Sequence, residues 1–160
     1  MAFLDLSTAG MKVAYAIEST AGTKPSTFTN IPKPKSIPDF NPEASALQTT
    51  SLNETEFHTY IKGLKDVGGA LQINFNMSQD FITLWNTTIV AAAETAKAAG
   101  KALWFEFYHP SLTQGFFFTA EASELGFPSA DVDAVFEGSV SITPTGNIGW
   151  ATAISPTDPS

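Results

Sequence analysis

The chain contains no cysteine and no arginine. The first absence excludes disulfides and thiolate metal sites, and with them a small disulfide-stapled secreted module. The second removes the cation that grips phosphate best. All eight basic residues are lysines, set against 16 acids, so the net charge is −8. Residues 102–160 have no lysine at all, yet hold Glu106, Glu121, Glu124, Asp131, Asp133, Glu137 and Asp158. Nucleic-acid affinity rests on neutralising phosphates, so this charge pattern argues against a nucleic-acid binder. No stretch approaches the roughly 20 apolar residues of a membrane helix. The opening MAFLDLSTAGMKVAYAIE has an acid at Asp5 and no long apolar run, and does not read as a signal peptide.

What is present is 43% hydrophobic content and 13 phenylalanines, enough for an aromatic core. The length of 160 residues suits one domain spanning 1–160.

The pattern along the chain is mostly that of strands. Residues 11–18 read as a strand with Val13, Tyr15 and Ile17 on one face. Residues 31–42 carry prolines at 32, 34, 38 and 42, which remove backbone donors and allow edge strand or extended chain at best. Residues 43–50 suit a returning strand. Leu71, Ile73, Phe75 and Met77 alternate with Gln72, Asn74 and Asn76, the period of a half-buried strand. Before them, the segment from Gly63 to Gly69 reads as a glycine-flanked bend.

Ser78 then has the character of an N-cap, with Asp80 in the first turn. Phe81, Leu84, Trp85, Thr88, Ile89 and Ala92 recur at helical spacing, and Gly100 suits a C-cap. One helix of about five turns is expected, followed only by strands. These are Leu103–Tyr108, ended by His109-Pro110, then 115–123, then 134–143, where Pro144 is expected to stop the strand. Phe117 breaks the inward face of Phe116, Phe118, Ala120 and Ala122. Either both sheet faces are covered there or Phe117 meets a neighbouring molecule. Residues 144–160 read as a C-terminal tail, mobile or docked on a partner.

Residues 18–67 contain extended loops, and the stretch from about Pro38 to Val67 buries itself poorly. The region is either a surface excursion with a short hairpin or an arm that orders against another subunit. Phe57, Tyr60 and Ile61 sit where a single copy offers little cover, which favours the arm. Residues 54–65 are then expected to touch the next subunit or ring, through Glu54, Phe57, Tyr60, Ile61, Lys62 and Lys65.

No catalytic constellation assembles. Glu54, Glu56 and His58 alternate as metal ligands on a strand would, but a further ligand has no obvious source. Asp131 and Asp133 resemble the start of a calcium loop without its glycine and closing glutamate. Glu121 and Glu137 have nothing that forces them together as a glycosidase pair. His109, before a proline at a strand end, suits a hydrogen-bonded turn. No enzyme and no cofactor is read here.

Four pieces resemble the major tail tube proteins of long-tailed, siphophage-type bacteriophages. They are LSTAGMKVAYAIESTAGTKP, IPKPKSIPDFNPEA, TSLNETEFHTYIKGLKDVGGALQINFNMSQDF and FEGSVSITPTGNI. The third is the most specific, because loop, double glycine, strand and helix cap come in one order. The resemblance implies a mainly β fold, an antiparallel β-sandwich or partial barrel flanked by one α-helix, with a long arm. It implies hexameric rings, joined sheet edge to sheet edge, that stack into the hollow tail tube conducting DNA during ejection. The inner tube of type VI secretion systems is a close variant of that architecture. Partners would be further copies of the chain, the tail tip or baseplate initiator, the tape measure and the tail terminator, with DNA passing unbound and no membrane involved. The protein would sit in the virion tail, and in the host cytoplasm before assembly. Gln72, Asn74, Asn76, Glu121, Glu137, Ser139 and Ser141 would include the lumen lining. The alternative is a β-sandwich carbohydrate- or receptor-binding module that uses Trp104, Tyr108 and Trp150 as stacking platforms.

Overall fold

The computed structural model describes residues 5–66 and 68–159. Val67 of the expected bend and Ser160 of the expected tail lie outside the described residues. The fold is mainly β: a seven-stranded antiparallel sheet curled into a near-closed barrel, one helical run, and a separate two-stranded hairpin.

The strands are β1 (Lys12–Ile17), β2 (Thr29–Ile31), β3 (Pro34–Ser36), β4 (Ala44–Gln48), β5 (Tyr60–Lys65), β6 (Leu71–Asn76), β7 (Leu103–Tyr108), β8 (Gln114–Ala122) and β9 (Glu137–Thr152). The main sheet runs β2-β1-β7-β8-β9-β6-β3. Its two borders, β2 and β3, are separated in sequence only by Pro32 and Lys33. That link spans about 10 Å at most, so the opposite borders must meet and the sheet must curl. Asn76 N–H donates to the Lys33 carbonyl at 3.2 Å beside this seam. The proline-rich segment thus supplies the link between the two edges and the β3 edge itself, where a missing N–H does least harm. Each border strand is only three residues long, so the main sheet offers a neighbour little free edge.

The helical run packs against the inner face of the sheet. Ser78 Oγ accepts from Phe81 N–H at 3.2 Å and starts α1 (Gln79–Thr83). A π-helical stretch (Leu84–Ala91) follows, then α2 (Ala92–Ala98). The expected uniform α-helix is therefore wider in its middle. The π turn brings Phe81, Trp85, Ile89 and also Val90 over the sheet, while Thr88 faces out. Trp85 Nε1–H donates to the Ser123 carbonyl at 2.8 Å, which ties the run to the end of β8. Gly100 ends the run with φ +77°. The core under it joins Val13, Tyr15, Ile73, Phe75, Leu103, Phe105, Phe118, Val140 and Ile142.

The outer face of β1, β7 and β8 is buried as well. Ala14, Ala16, Trp104 and Phe117 form a second small core with Phe28, backed by Ala151 and Ile154. The Phe28 and Phe117 rings lie 5.4 Å apart, and Lys24 Nζ sits 3.3 Å from the Phe117 centroid. Both sheet faces are thus covered at Phe117, by this chain's own loop and C-terminal segment rather than by a neighbour.

One further expectation fails at the C-terminal end. Pro144 does not stop β9, which runs on to Thr152. It pairs with Ala120 at a register shift, and the β6 partner has already ended at Leu71, opposite Ile142. A proline at a bulge with one flank unpaired costs the ladder little. The final segment is held on its own chain: Thr157 N–H donates to the Phe28 carbonyl at 3.0 Å, and Asn30 N–H to the Thr157 carbonyl at 2.7 Å.

Candidate assembly surfaces

The 18–67 region contains a projecting hairpin. β4 pairs with β5 through Leu47 opposite Ile61, Gln48 opposite Tyr60 and Ala46 opposite Lys62, in a sheet of their own. Asp66 N–H donates to the Glu43 carbonyl at 3.1 Å and closes its base. Gly63, expected at the bend, instead lies within β5, where a Cβ would press on Ser45 Oγ and on Leu47. Gly68 does take a left-handed φ of +74°, and Asp66 Oδ1 accepts its N–H at 2.9 Å.

The hairpin exposes its apolar residues. Phe57 is 77% and Leu64 90% exposed, and Leu47, Leu52, Tyr60 and Ile61 are also open to water. Glu54, Lys62 and Lys65 are exposed beside them. All six residues expected to make inter-subunit contacts therefore lie on one projection. Leu47, Leu52 and Leu64 belong to the same set. Strand periodicity in 60–65 was the signal that would have added Leu64.

His58 is hydrogen-bonded within this hairpin. Its Nδ1 lies 2.9 Å from Gln48 Nε2 and 3.3 Å from Thr50 Oγ1. Among the described residues, no three His, Asp or Glu side chains are grouped to hold a metal ion.

The second surface is polar. Gln72 lies opposite Ser141, Asn74 opposite Ser139, and Asn76 opposite Glu137. Glu121 pairs with Thr143 on the same outer face of the adjoining strand. The fold thus brings all seven expected lining residues onto one continuous face of β6, β9 and the end of β8. Asn74 Nδ2 donates to Ser36 Oγ at 2.9 Å. Two of the carboxylates are neutralised in place, Glu137 by Lys35 at 3.1 Å and Glu121 by Lys97. The pairing with Glu121 raises the Lys97 pKa. The face is therefore mostly uncharged amide and hydroxyl.

A third surface escaped sequence reading. Residues 124–136 join β8 to β9 and leave Phe127, Val132, Val135 and Phe136 exposed, Val132 at 95%. The Phe127 and Phe136 rings pair at 6.0 Å. The loop is anchored at both ends. Leu125 N–H donates to Asn86 Oδ1 at 3.3 Å, and Met77 N–H to the Phe136 carbonyl at 2.9 Å. No periodicity marks such a patch, because its residues sit on irregular backbone.

The aromatic platforms fare unevenly. Trp104 is buried, and its indole N–H donates to Glu18 Oε1 at 2.9 Å, so it cannot stack on a ligand. Tyr108 and Trp150 line one open groove with Phe40 and Phe116. His109 is a turn residue: Ser111 N–H donates to its Nδ1 at 3.0 Å, and its Nε2 lies 2.6 Å from the Ser7 carbonyl. Among the described residues, no helix is long and apolar enough to cross a membrane.

No protein-family model and no curated protein matches this chain. In three dimensions it is similar to a chain in the cryo-EM structure of the anti-feeding prophage (AFP) baseplate, six-fold symmetrised. Sequence identity is 7% and the TM-score 0.57, over 95% of this chain and 98% of that one. The likeness is one of fold, and it runs nearly end to end in both chains.

Proposed function

We propose that the chain is a structural subunit of a phage-type tail, a tail tube protein whose copies form hexameric rings. The rings stack into a hollow tube that conducts DNA during genome ejection. The observation that carries this reading is the β4–β5 hairpin. It holds six large apolar side chains in water on a sheet separate from the main core. Burying a Leu, Ile or Phe is worth roughly 1.5–3 kcal/mol, so repeated contact between copies has a ready driving force. The end-to-end fold likeness to a chain of a six-fold symmetrised baseplate supports the same reading.

In the assembled tube, the face of Gln72, Asn74, Asn76, Glu121, Glu137, Ser139 and Ser141 lines the bore. Its amides and hydroxyls stay hydrated, and its paired carboxylates offer phosphate no net attraction. DNA then slides without deep wells. Further partners are the tail tip or baseplate initiator, the tape measure and the terminator. The protein works in the virion tail and sits in the host cytoplasm before assembly.

Negative-stain microscopy of the concentrated protein tests this directly, with rings or tubes expected. Replacing residues 44–65 by a short Gly/Ser linker across the Glu43–Asp66 base should leave a folded domain that no longer polymerises. Strictly dispersed particles from the intact chain, even with tail initiator present, would overturn the proposal and favour a binding module. Normal tubes from the linker variant would remove the hairpin from it.

A further inference from the structure

We propose that the hairpin of one copy docks on the 124–136 loop of the next, joined by Lys62 and Lys65 facing Asp131 and Asp133. This rests on the self-assembly reading and names the surface that receives the hairpin.

Tyr60 lies opposite Gln48, Lys62 opposite Ala46 and Lys65 opposite Ala44, with a bulge between the last two pairs, so Tyr60, Lys62 and Lys65 project from one face of the hairpin. All three are exposed. That face presents an aromatic ring and two cations, with Leu64 exposed at the bulge between them. The loop offers the complementary chemistry, acids beside apolar side chains. Val132, between Asp131 and Asp133, stands out at 95% exposure, and Phe127 and Phe136 pair within the same loop.

The charges match in sign, and the asymmetry lies in the sequence. Residues 102–160 contain no lysine or arginine, so nothing in that half neutralises the loop acids. Lys62 and Lys65 make no ion pair among the described residues. The two surfaces are also apolar together, which a purely electrostatic contact between soluble proteins would not require. Both remain open in a single copy, so one chain does not satisfy its own pair.

A second copy is the occupant that uses both surfaces at once. Each chain carries one hairpin and one loop, which makes the contact head-to-tail. Such heterologous contacts close into rings or run on as stacks. The loop needs little rearrangement to receive the hairpin, since hydrogen bonds hold it at Leu125 and Phe136. The hairpin is likewise a preformed ladder.

The natural chain has no cysteine, so engineered thiols report without background. Leu64→Cys protein is mixed with Val132→Cys protein under assembling conditions and oxidised gently. The expected result is a mixed disulfide dimer on a non-reducing gel, with each variant alone remaining monomeric on the gel. In parallel, Lys62→Glu with Lys65→Glu should lower tube yield at least ten-fold. Adding Asp131→Lys and Asp133→Lys to the same chain should restore it. Unchanged circular dichroism establishes that these exposed substitutions leave the fold intact.

If wild-type tubes form but the mixed disulfide and the charge rescue both fail, this pairing is wrong while the assembly reading stands. If wild-type protein forms no tubes under any condition, both fall. Cross-linking of the Val132→Cys loop only to another tail component would also overturn the pairing.

Discussion

Glu106 Oε2 accepts the backbone N–H of Ile154 at 3.0 Å and ties the end of the chain to the middle of β7. The carboxyl is fully buried, and its other oxygen has no hydrogen-bond partner in the structure. Burial raises its pKa, against the opposing pull of the Ile154 N–H and the Lys24 charge. A raised folded pKa means that the fold holds the proton more tightly than the unfolded chain does. Glu106 therefore costs stability increasingly as pH rises above the ordinary glutamate value of 4.5 towards the folded value.

Glu106→Gln should therefore melt higher than wild type at about pH 8 and equally at about pH 4, where the carboxyl is already protonated. Thermal unfolding followed by circular dichroism across pH measures it. An equal offset at every pH would show that ionisation is not the cause.

Glu18 should set the opposite limb. Burial alone would raise its pKa, but hydrogen bonds from the Trp104 indole, from Gly22 N–H and with the backbone of Ala102 outweigh that and hold it below the ordinary glutamate value. Its contribution is complete above 4.5 and is lost as pH falls through the depressed folded value. Glu18→Gln should accordingly lose stability at neutral pH and show a shallower acid limb in the same melts.

Gly115→Ala should destabilise the domain by about 1–3 kcal/mol. A Cβ there would stand 2.7 Å from Glu106 Oε2 and 3.4 Å from Phe117 Cε2, both held in the packed outer core. Urea unfolding gives the value, and a neutral result would mean the carboxyl can swing aside.

Trp85→Phe should cost about 1–3 kcal/mol, because it orphans the Ser123 carbonyl and leaves a small void under the π-helical stretch. Hydrogen exchange should quicken first around Ser123 and the start of the 124–136 loop. Uniform quickening across the sheet would argue against a local tie.

Tubes carrying Ser139→Lys and Ser141→Lys should assemble normally yet retain short duplex DNA, released steeply between about 50 and 200 mM salt. Wild-type tubes should retain none. Co-sedimentation of DNA with tubes measures this, and unchanged retention would move the polar face away from the bore.

Much of this protein was legible locally. Alternation in Leu71–Asn76 gave β6 and its inward Ile73 and Phe75, and Ser78 marked the helix start. Phe57, Tyr60 and Ile61 stood out as apolar residues without cover, and they project in the fold. The polar positions of β6 and β9 were recognisable as outward-facing, since a period of two decides a face from the strand alone. The π-helical widening was not legible, because it depends on how Trp85 and Val90 seat on the sheet. Trp104 read as a platform because its burial comes from residues far away in sequence.

The sequence by itself determined the β character, the single helix, the absence of thiol and arginine chemistry, and the acidic, lysine-free second half. These follow from composition and from side-chain periods, which act within a few residues. Only the tertiary structure decided that β2 and β3, two residues apart in the chain, form the opposite borders of one sheet. It alone decided that β9 passes through Pro144, that Phe117 is covered by its own chain, and that residues 124–136 form an acidic apolar patch. Each of those depends on which distant segments meet, and that choice belongs to the packing of the whole chain.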